Sequence, residues 1–286
     1  MEDKFDYHLA FSRNLGWVTS EEQSLLRGKR VAIAGMGGVG GFHLLAMLRL
    51  GIEKFNIADF DRFELANFNR QAGATVSTIG EQKVEVLANL ARGINTEADV
   101  RQFPEGINED NLSEFLTGAD LYVDGLDFFA FRLRERVFDY CARKGIPAIT
   151  VAPLGMSAAL ISFVPGSMSF EDYFQLAGQS DAEKAVRFLV GLAPGMLHRT
   201  YLMDRKRVDL STGKGPSTVI ACHLCAGIAC AEALKVLLQR GKVLAAPHAF
   251  QFDAFRNKLI HTWRPGGNRH PINRLAVRLA KRQLGI

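Results

Sequence analysis

The sequence predicts an α/β fold: a doubly wound, mainly parallel sheet with helices on both faces and a C-terminal antiparallel extension. Three observations carry this. Between residues 31 and 151, short apolar runs of strand character alternate with stretches of helical periodicity, the pattern of successive βα units. The first of these strands runs into a glycine-rich turn that opens a helix. Near the end, the runs 249–253 and 258–262 are separated only by a turn around 255–257, which is hairpin spacing rather than crossover spacing.

The opening unit is Val31-Ala32-Ile33-Ala34 followed by Gly35-x-Gly37-Gly38-x-Gly40. Gly35 and Gly37 allow a tight turn and the close approach of a ligand, and Gly40 lets the new helix lie close to the sheet. Backbone N–H groups at such a helix start face a phosphate. This is the Rossmann-like layout, and a nucleotide is the expected guest of the four glycines, Gly38 included. Taken alone, the motif is shared by dehydrogenases, flavoproteins and adenylating enzymes.

Length and composition set the frame. A chain of 286 residues holds one large α/β domain or two small ones. Four cysteines, no leader-like start and no long uncharged apolar run lead us to expect a reduced, soluble, cytoplasmic protein with no membrane partner. The longest apolar region, 219–238, carries His223, Glu232 and Lys235 and reads as a buried helix. The net charge is +5, but from Arg264 onward there are six basic and no acidic residues, leaving 29 basic against 30 acidic before it. The body is neutral and the tail is basic.

In chain order, residues 1–28 form an arm that contains Arg13 and a short helix, with Ser20 as the expected cap and Leu25 and Leu26 as its apolar side. The core follows over 29–165. Its second parallel strand, 54–59, ends in Asp59-Phe60-Asp61, and a carboxylate there is placed for ribose hydroxyls. The polar stretch that follows holds Asn67, Arg70 and Gln71. Thr78 and Glu81 have capping-box spacing, which puts Lys83 in the first turns of a helix reaching about residue 90. The macrodipole disfavours a cation there, so Lys83 is expected to answer an anion, and with Arg70 it suits a polyphosphate. A further strand, 120–124, places Asp127 beyond the sheet's carboxyl edge, where it suits a magnesium ion shared with phosphates. A helix over 132–144 and a strand over 147–151 complete this unit.

Gly35-x-Gly37-Gly38-x-Gly40, Asp59-x-Asp61, Asn67-x-x-Arg70-Gln71, Gly80-x-x-Lys83, Ile94-Asn95 and Asp124-x-x-Asp127, in this order, resemble the adenylating domain of the E1-like superfamily of ThiF, MoeB and HesA type. The resemblance covers about residues 7–165 and then the helix over 217–239. It implies a carboxylate substrate attacking the α-phosphate of MgATP to give an acyl-adenylate and pyrophosphate. By matched position, Asp59 would hold the ribose, Asn67, Arg70 and Lys83 the phosphates, and Asp127 the magnesium. Asp61 and Gln71 belong to the same nucleotide-binding set. Arg13 matches an arginine that reaches across a dimer interface to the γ-phosphate, so a homodimer is implied, with Arg13, Arg70, Lys83 and Asp127 as the catalytic group.

The departures also carry predictions. The family's usual asparagine after the magnesium aspartate is Phe128 here. Only one C-x-x-C pair exists, Cys222 and Cys225, which falls short of the four ligands of a structural zinc, so zinc is not expected and the thiols read as small buried hydrophobes. Residues 152–216 hold no cysteine, so no thioester step is expected. An insertion over 166–216, with helical pieces at 169–174 and 183–192, crosses to the late helix and strands of 217–265. A basic helical tail occupies 266–286; nucleic-acid contact through it is the less favoured reading, a solvated face the favoured one. The acceptor is left open among a ubiquitin-like or sulfur-carrier protein C-terminus, a tRNA-bound carboxylate and a small acid. Two alternatives stand beside this reading: an NAD-dependent oxidoreductase on the same fold, and a non-catalytic nucleotide-binding relative.

Overall fold

The computed structural model describes residues 5–204, 207–208 and 215–284. The outer ends of the expected arm and tail, and parts of the expected insertion at 205–206 and 209–214, lie outside the described residues. Strands β1 (Arg30–Ala34), β2 (Lys54–Ala58), β3 (Asp99–Phe103), β4 (Leu121–Asp124) and β5 (Ala148–Leu154) pair in parallel, and β6 (Ser157–Phe163), β7 (His248–Asp253) and β8 (Lys258–Trp263) continue the sheet antiparallel. The order is β3-β2-β1-β4-β5-β6-β7-β8. The chain therefore builds outward from β1 to one edge and then jumps back to the other side of β1. The crevice between β1 and β4 is the point where strand order reverses, and in open α/β sheets ligands bind at its carboxyl end.

The helices are α1 (Tyr7–Ala10), α2 (Ser20–Gly28), α3 (Gly40–Arg49), α4 (Lys83–Ile94), α5 (Leu112–Phe115), α6 (Phe131–Lys144), α7 (Phe170–Phe174), α8 (Asp181–Leu192), α9 (Val219–Leu237) and α10 (Pro271–Leu284). Strand alternation sorts them onto two faces. Val31 and Ile33 of β1 pack with Leu44 and Met47 of α3, Leu87 of α4, and Cys225 and Ala229 of α9. Ala32 and Ala34, one residue out of phase, face Phe115 of α5, Phe138 of α6, Phe174 of α7 and Phe188 of α8. The apolar stretch expected to be a buried helix is α9. It is long and apolar enough to cross a membrane by composition, but it lies against α3, β5 and β6, and its buried Glu232 accepts from Ser162 Oγ at 2.6 Å.

Two local expectations need correction. The cap of α2 is Thr19, not Ser20: its hydroxyl accepts from Glu22 N while the Glu22 carboxylate accepts from Thr19 N. Thr78 and Glu81 form no capping box for α4. Thr78 closes a separate short turn (Val76–Thr78) and its hydroxyl accepts from Thr75 N, while α4 starts later, at Lys83 itself. Strands β3 and β6 were not read as individual elements. The basic tail helix α10 packs Val277 against Val186 and Val190 of α8, and Lys281 pairs with Glu183 at 2.9 Å; Arg274, Arg278 and Arg282 remain on its exposed side.

Candidate active site

The glycine turn is a place where backbone meets backbone. Gly35 N donates to Ala58 O at 2.7 Å, and Gly125 N, just past β4, donates to Ala34 O at 2.9 Å. A Cβ on Gly40 would stand 1.7 Å from Gly35 O, and one on Gly35, whose φ is +86°, would stand 2.2 Å from Gly125 O. No side chain fits at these three positions, so α3 starts directly over the crevice with its N–H groups at the sheet's carboxyl edge. Gly37 and Gly38 differ. A Cβ at Gly37 would meet Gln71 Nε2 at 3.8 Å, and one at Gly38 would meet Cys222 Sγ at 3.3 Å and Arg70 Cγ at 3.8 Å. Arg70, Gln71 and Cys222 thus wall one side of the turn.

The other side is acidic and basic together. Asp59 Oδ2 accepts from Met36 N at 2.6 Å and Oδ1 from Asp61 N at 2.8 Å. Burial raises the Asp59 pKa, opposed by the nearby Lys83 charge and by those two N–H groups. Lys83 Nζ donates to Asp61 Oδ2 at 2.8 Å; the lysine side chain is buried, whereas Asp61 is half exposed. A buried ammonium as the first residue of α4 is opposed by that helix's dipole and is held there by Asp61.

Asn67 Oδ1 accepts from Glu64 N at 2.9 Å, which shapes the short turn leading to Arg70. Arg70 donates to Ala66 O at 3.0 Å and Asn69 Oδ1 at 2.9 Å, and Asn69 donates to Ser217 O at 3.0 Å, tying this segment to the start of α9. The buried Gln71 Oε1 has no hydrogen-bond partner among the described residues. Burial pushes the Cys222 thiol up to about 11, with Arg70 opposing, so Cys222 is a thiol and not a thiolate at neutral pH. Burial also pushes the Cys225 thiol up strongly.

Asp127 is exposed, two residues past Gly125, and its Oδ1 accepts from Phe129 N at 2.9 Å. Phe128, in the place of the expected asparagine, packs its ring near Phe129, Phe131 and Phe188. Arg13 is elsewhere. It lies exposed in a short turn (Ser12–Asn14), and the neighbouring Asn14 donates to the carbonyls of Arg49 and Leu50 at the C-terminal end of α3. The glycine turn is at the other end of that ten-residue helix, about 15 Å away.

The structure therefore gathers Gly35, Gly37, Gly38, Gly40, Asp59, Asp61, Arg70, Gln71 and Lys83 around one helix N-terminus. Asn67 lies one turn before Arg70 and Asp127 on the adjoining loop, and Arg13 is not brought to its own chain's site. Two features of the site carry no signal in the sequence: the backbone contact of Gly125 with Gly35, and the place of Cys222, expected only as a buried thiol, beside Gly38. A cavity of about 430 Å³ beyond the end of β3, lined by Phe103, Asn111 and Glu114 among others, involves none of the candidate residues.

The family follows from comparison with known proteins. The ThiF family model matches residues 11–274. This chain belongs to the ThiF family. It is similar to the tRNA threonylcarbamoyladenosine dehydratase of Haemophilus influenzae, with 32% identity over 138 residues, 48% of this chain and 52% of that protein. It is also similar to the SAMP-activating enzyme E1 of Haloferax volcanii, with 24% identity over 214 residues, 74% of this chain and 77% of that one. The chain spans about half the length of the dehydratases it matches. Among solved structures, Escherichia coli MccB with succinimide superposes with a TM-score of 0.69 at 20% identity, over 91% of this chain and 73% of MccB. E. coli TcdA superposes with a TM-score of 0.60 at 21% identity, over 81% of this chain and 95% of TcdA. At these identities the likeness is one of fold, which is the Rossmann-like α/β sheet with an antiparallel extension.

Proposed function

We propose that this ThiF-family chain adenylates a substrate carboxylate with ATP. A carboxylate oxygen attacks the α-phosphorus, the bond to the bridging oxygen breaks, and acyl-adenylate and pyrophosphate form. The protein's part is to position the two reactants and to neutralise the charge that builds on the leaving pyrophosphate. The observation that supports this most is the placing of two basic residues on either side of one helix N-terminus. Arg70 lies against Gly38, and Lys83 lies in the Asp59–Asp61 network that also holds Met36 N. A nicotinamide site uses the ribose carboxylate and leaves both cations without a role.

In this reading Asp59 takes the ribose hydroxyls, Asp61 holds Lys83 until the phosphates arrive, and Arg70, Lys83 and Asn67 bind the phosphates. Gln71 offers its unpartnered Oε1 beside the turn. Asp127 fits magnesium: it is an exposed carboxylate with one oxygen oriented by Phe129 N. Among the described residues no three His, Cys, Asp or Glu gather into a cluster, so an ion there would take its other ligands from phosphates and water. Magnesium supplies charge neutralisation on the phosphates. Arg13, exposed and remote from its own turn, serves the site of a second copy, which makes the working form a homodimer in a soluble, cytoplasmic setting. With no cysteine in residues 152–216, the adenylate is passed on or released without a thioester on this chain.

The relatives' names speak of a tRNA modification and of carrier proteins, so the acceptors to try are a tRNA-bound carboxylate, the C-terminus of a ubiquitin-like or sulfur-carrier protein, and a small acid. A screen of such carboxylates for AMP release and ATP–pyrophosphate exchange tests the reading. Wild type is expected to release AMP with one acceptor class, and Arg70→Ala to lower the rate about 100-fold or more. ATP binding without exchange for any acceptor would favour the non-catalytic relative; NAD binding in place of ATP would overturn the reading.

A further inference from the structure

The loop that carries Asp127 is held by a residue outside the motifs. Arg134, on α6, is 2% exposed. Its Nε donates to Asp124 Oδ2 at 2.8 Å, and both partners of this ion pair are buried. Its two terminal nitrogens turn toward the loop: one donates to Leu126 O and Asp127 O, each at 2.9 Å, and the other to Phe128 O at 3.2 Å. Three successive carbonyls of the loop thus converge on one guanidinium. The guanidinium carbon also lies 4.6 Å from the centre of the Phe188 ring, on α8 of the insertion.

The loop's other restraints are local, the nearest being Phe129 N, which donates to Asp127 Oδ1 at 2.9 Å. Asp124 Oδ1 accepts from Leu126 N at 3.2 Å, and Asp127 O accepts from Ala130 N at 3.0 Å. Phe128 adds ring packing but no side-chain hydrogen bond of its own, having no donor or acceptor. A planar fork with five N–H donors is the one side chain able to take a carboxylate and three carbonyls at once. Its buried charge, matched by Asp124, fixes the fork in place.

We infer that Arg134 is the positioning residue for Asp127: it locks the carbonyls of 126–128 so that the Asp127 carboxylate is presented to the metal and phosphates, and the Phe188 ring beneath it makes this lock sensitive to the packing of the insertion. The inference rests on the reading of Asp127 as the magnesium ligand. Groups that orient a metal ligand without touching the metal commonly govern affinity by about 10- to 100-fold when lost.

The test is Mn²⁺ binding, followed by loss of the free-ion EPR signal, to the full chain with α,β-methylene-ATP. Three variants are compared with wild type: Asp127→Asn, Arg134→Lys and Phe188→Leu. Lysine keeps a cation beside Asp124 but cannot span the three carbonyls. Arg134→Lys is expected to weaken Mn²⁺ about tenfold while metal-free nucleotide affinity stays within about twofold. Phe188→Leu keeps the arginine and should weaken Mn²⁺ by about two- to threefold, which preserves the test if the lysine variant folds poorly. Wild-type Mn²⁺ affinity in both, with Asp127→Asn impaired, overturns the positioning role alone. Wild-type affinity in Asp127→Asn overturns the reading on which the inference stands. A lowered Tm for Arg134→Lys with unchanged Mn²⁺ binding marks the arginine as structural only and also overturns it.

Discussion

Two carboxylate–cation pairs flank the glycine turn, and they are built for opposite purposes. Lys83–Asp61 and Arg134–Asp124 have the same 2.8 Å separation. In the first the lysine is 6% exposed but the aspartate 52%; in the second both are 2% exposed. An ion pair with one partner in water can exchange that partner for a phosphate at little cost. A pair sealed on both sides cannot, because separating its charges in a low-dielectric interior leaves each uncompensated. The first is therefore a reserve of positive charge for a ligand, and the second is a fixed strut.

The sharpest way to break this contrast is to remove one charge from the sealed pair. Asp124→Asn leaves a buried guanidinium without its counter-ion and is expected to cost about 3–5 kcal/mol in urea unfolding. Adding Arg134→Met in the same chain should recover only part of that loss, since it removes the uncompensated buried charge but leaves the carbonyls of 126–128 without their donor. If Asp124→Asn unfolds at the wild-type urea concentration, the strut reading fails.

The open pair should respond in the reverse manner. Lys83→Met is expected to lower adenylation about 100-fold or more, the order seen when a donor aimed at developing charge is removed. Its stability should change by only about 1 kcal/mol, because Asp61 regains water when its partner goes. Unfolding curves and pyrophosphate exchange on the same preparation decide it. A variant that loses stability but keeps its rate would make Lys83 another strut.

The contrast also shows where a sequence can be read and where it cannot. β1, its turn and α3 were legible because each signal is local: an apolar run, glycines, then helical periodicity. The hairpin of β7 and β8 was legible by the same means. β6 was not, because Ser157–Phe163 is buried on both faces and so shows no alternation. β3 was missed for the opposite reason: it is a short, polar strand at the sheet's edge. In the site, strand ends and a helix start brought forward Asp59, Lys83 and Asp127, whereas Arg70, in a polar stretch between β2 and α4, stood out only together with Lys83 and through the family resemblance. Cys222 was read as a core thiol, which it is, but its place beside Gly38 depends on how α9 crosses the sheet. Arg134 did leave a trace. It lies on the same face of α6 as Phe131, Val137, Phe138 and Cys141, and a charge within a buried apolar stripe implies a buried counter-ion. Arg13 could be placed relative to the turn only once Asn14 was seen against the far end of α3.

A third buried ionisable group sharpens the contrast because its polar atoms are unpaired among the described residues. His43, one turn into α3, is fully buried, and neither ring nitrogen has a hydrogen-bond partner among the described residues. Burial pushes its pKa down to about 3. The unfolded chain takes up this proton near pH 6.5, whereas the folded chain does so only near 3. Its contribution to stability is thus fully present above pH 6.5 and is lost as pH falls toward 3, with a slope approaching about 1.4 kcal/mol per pH unit. His43→Met removes both the unsatisfied nitrogens and the proton. At pH 7 the variant is expected to gain about 1 kcal/mol. The gain should widen as the pH is lowered to 5, because wild type alone pays for the proton. Urea unfolding of both proteins at the two pH values measures it, and parallel losses would mean that the histidine is already protonated in the fold, with a counter-ion as close as Asp124 is to Arg134.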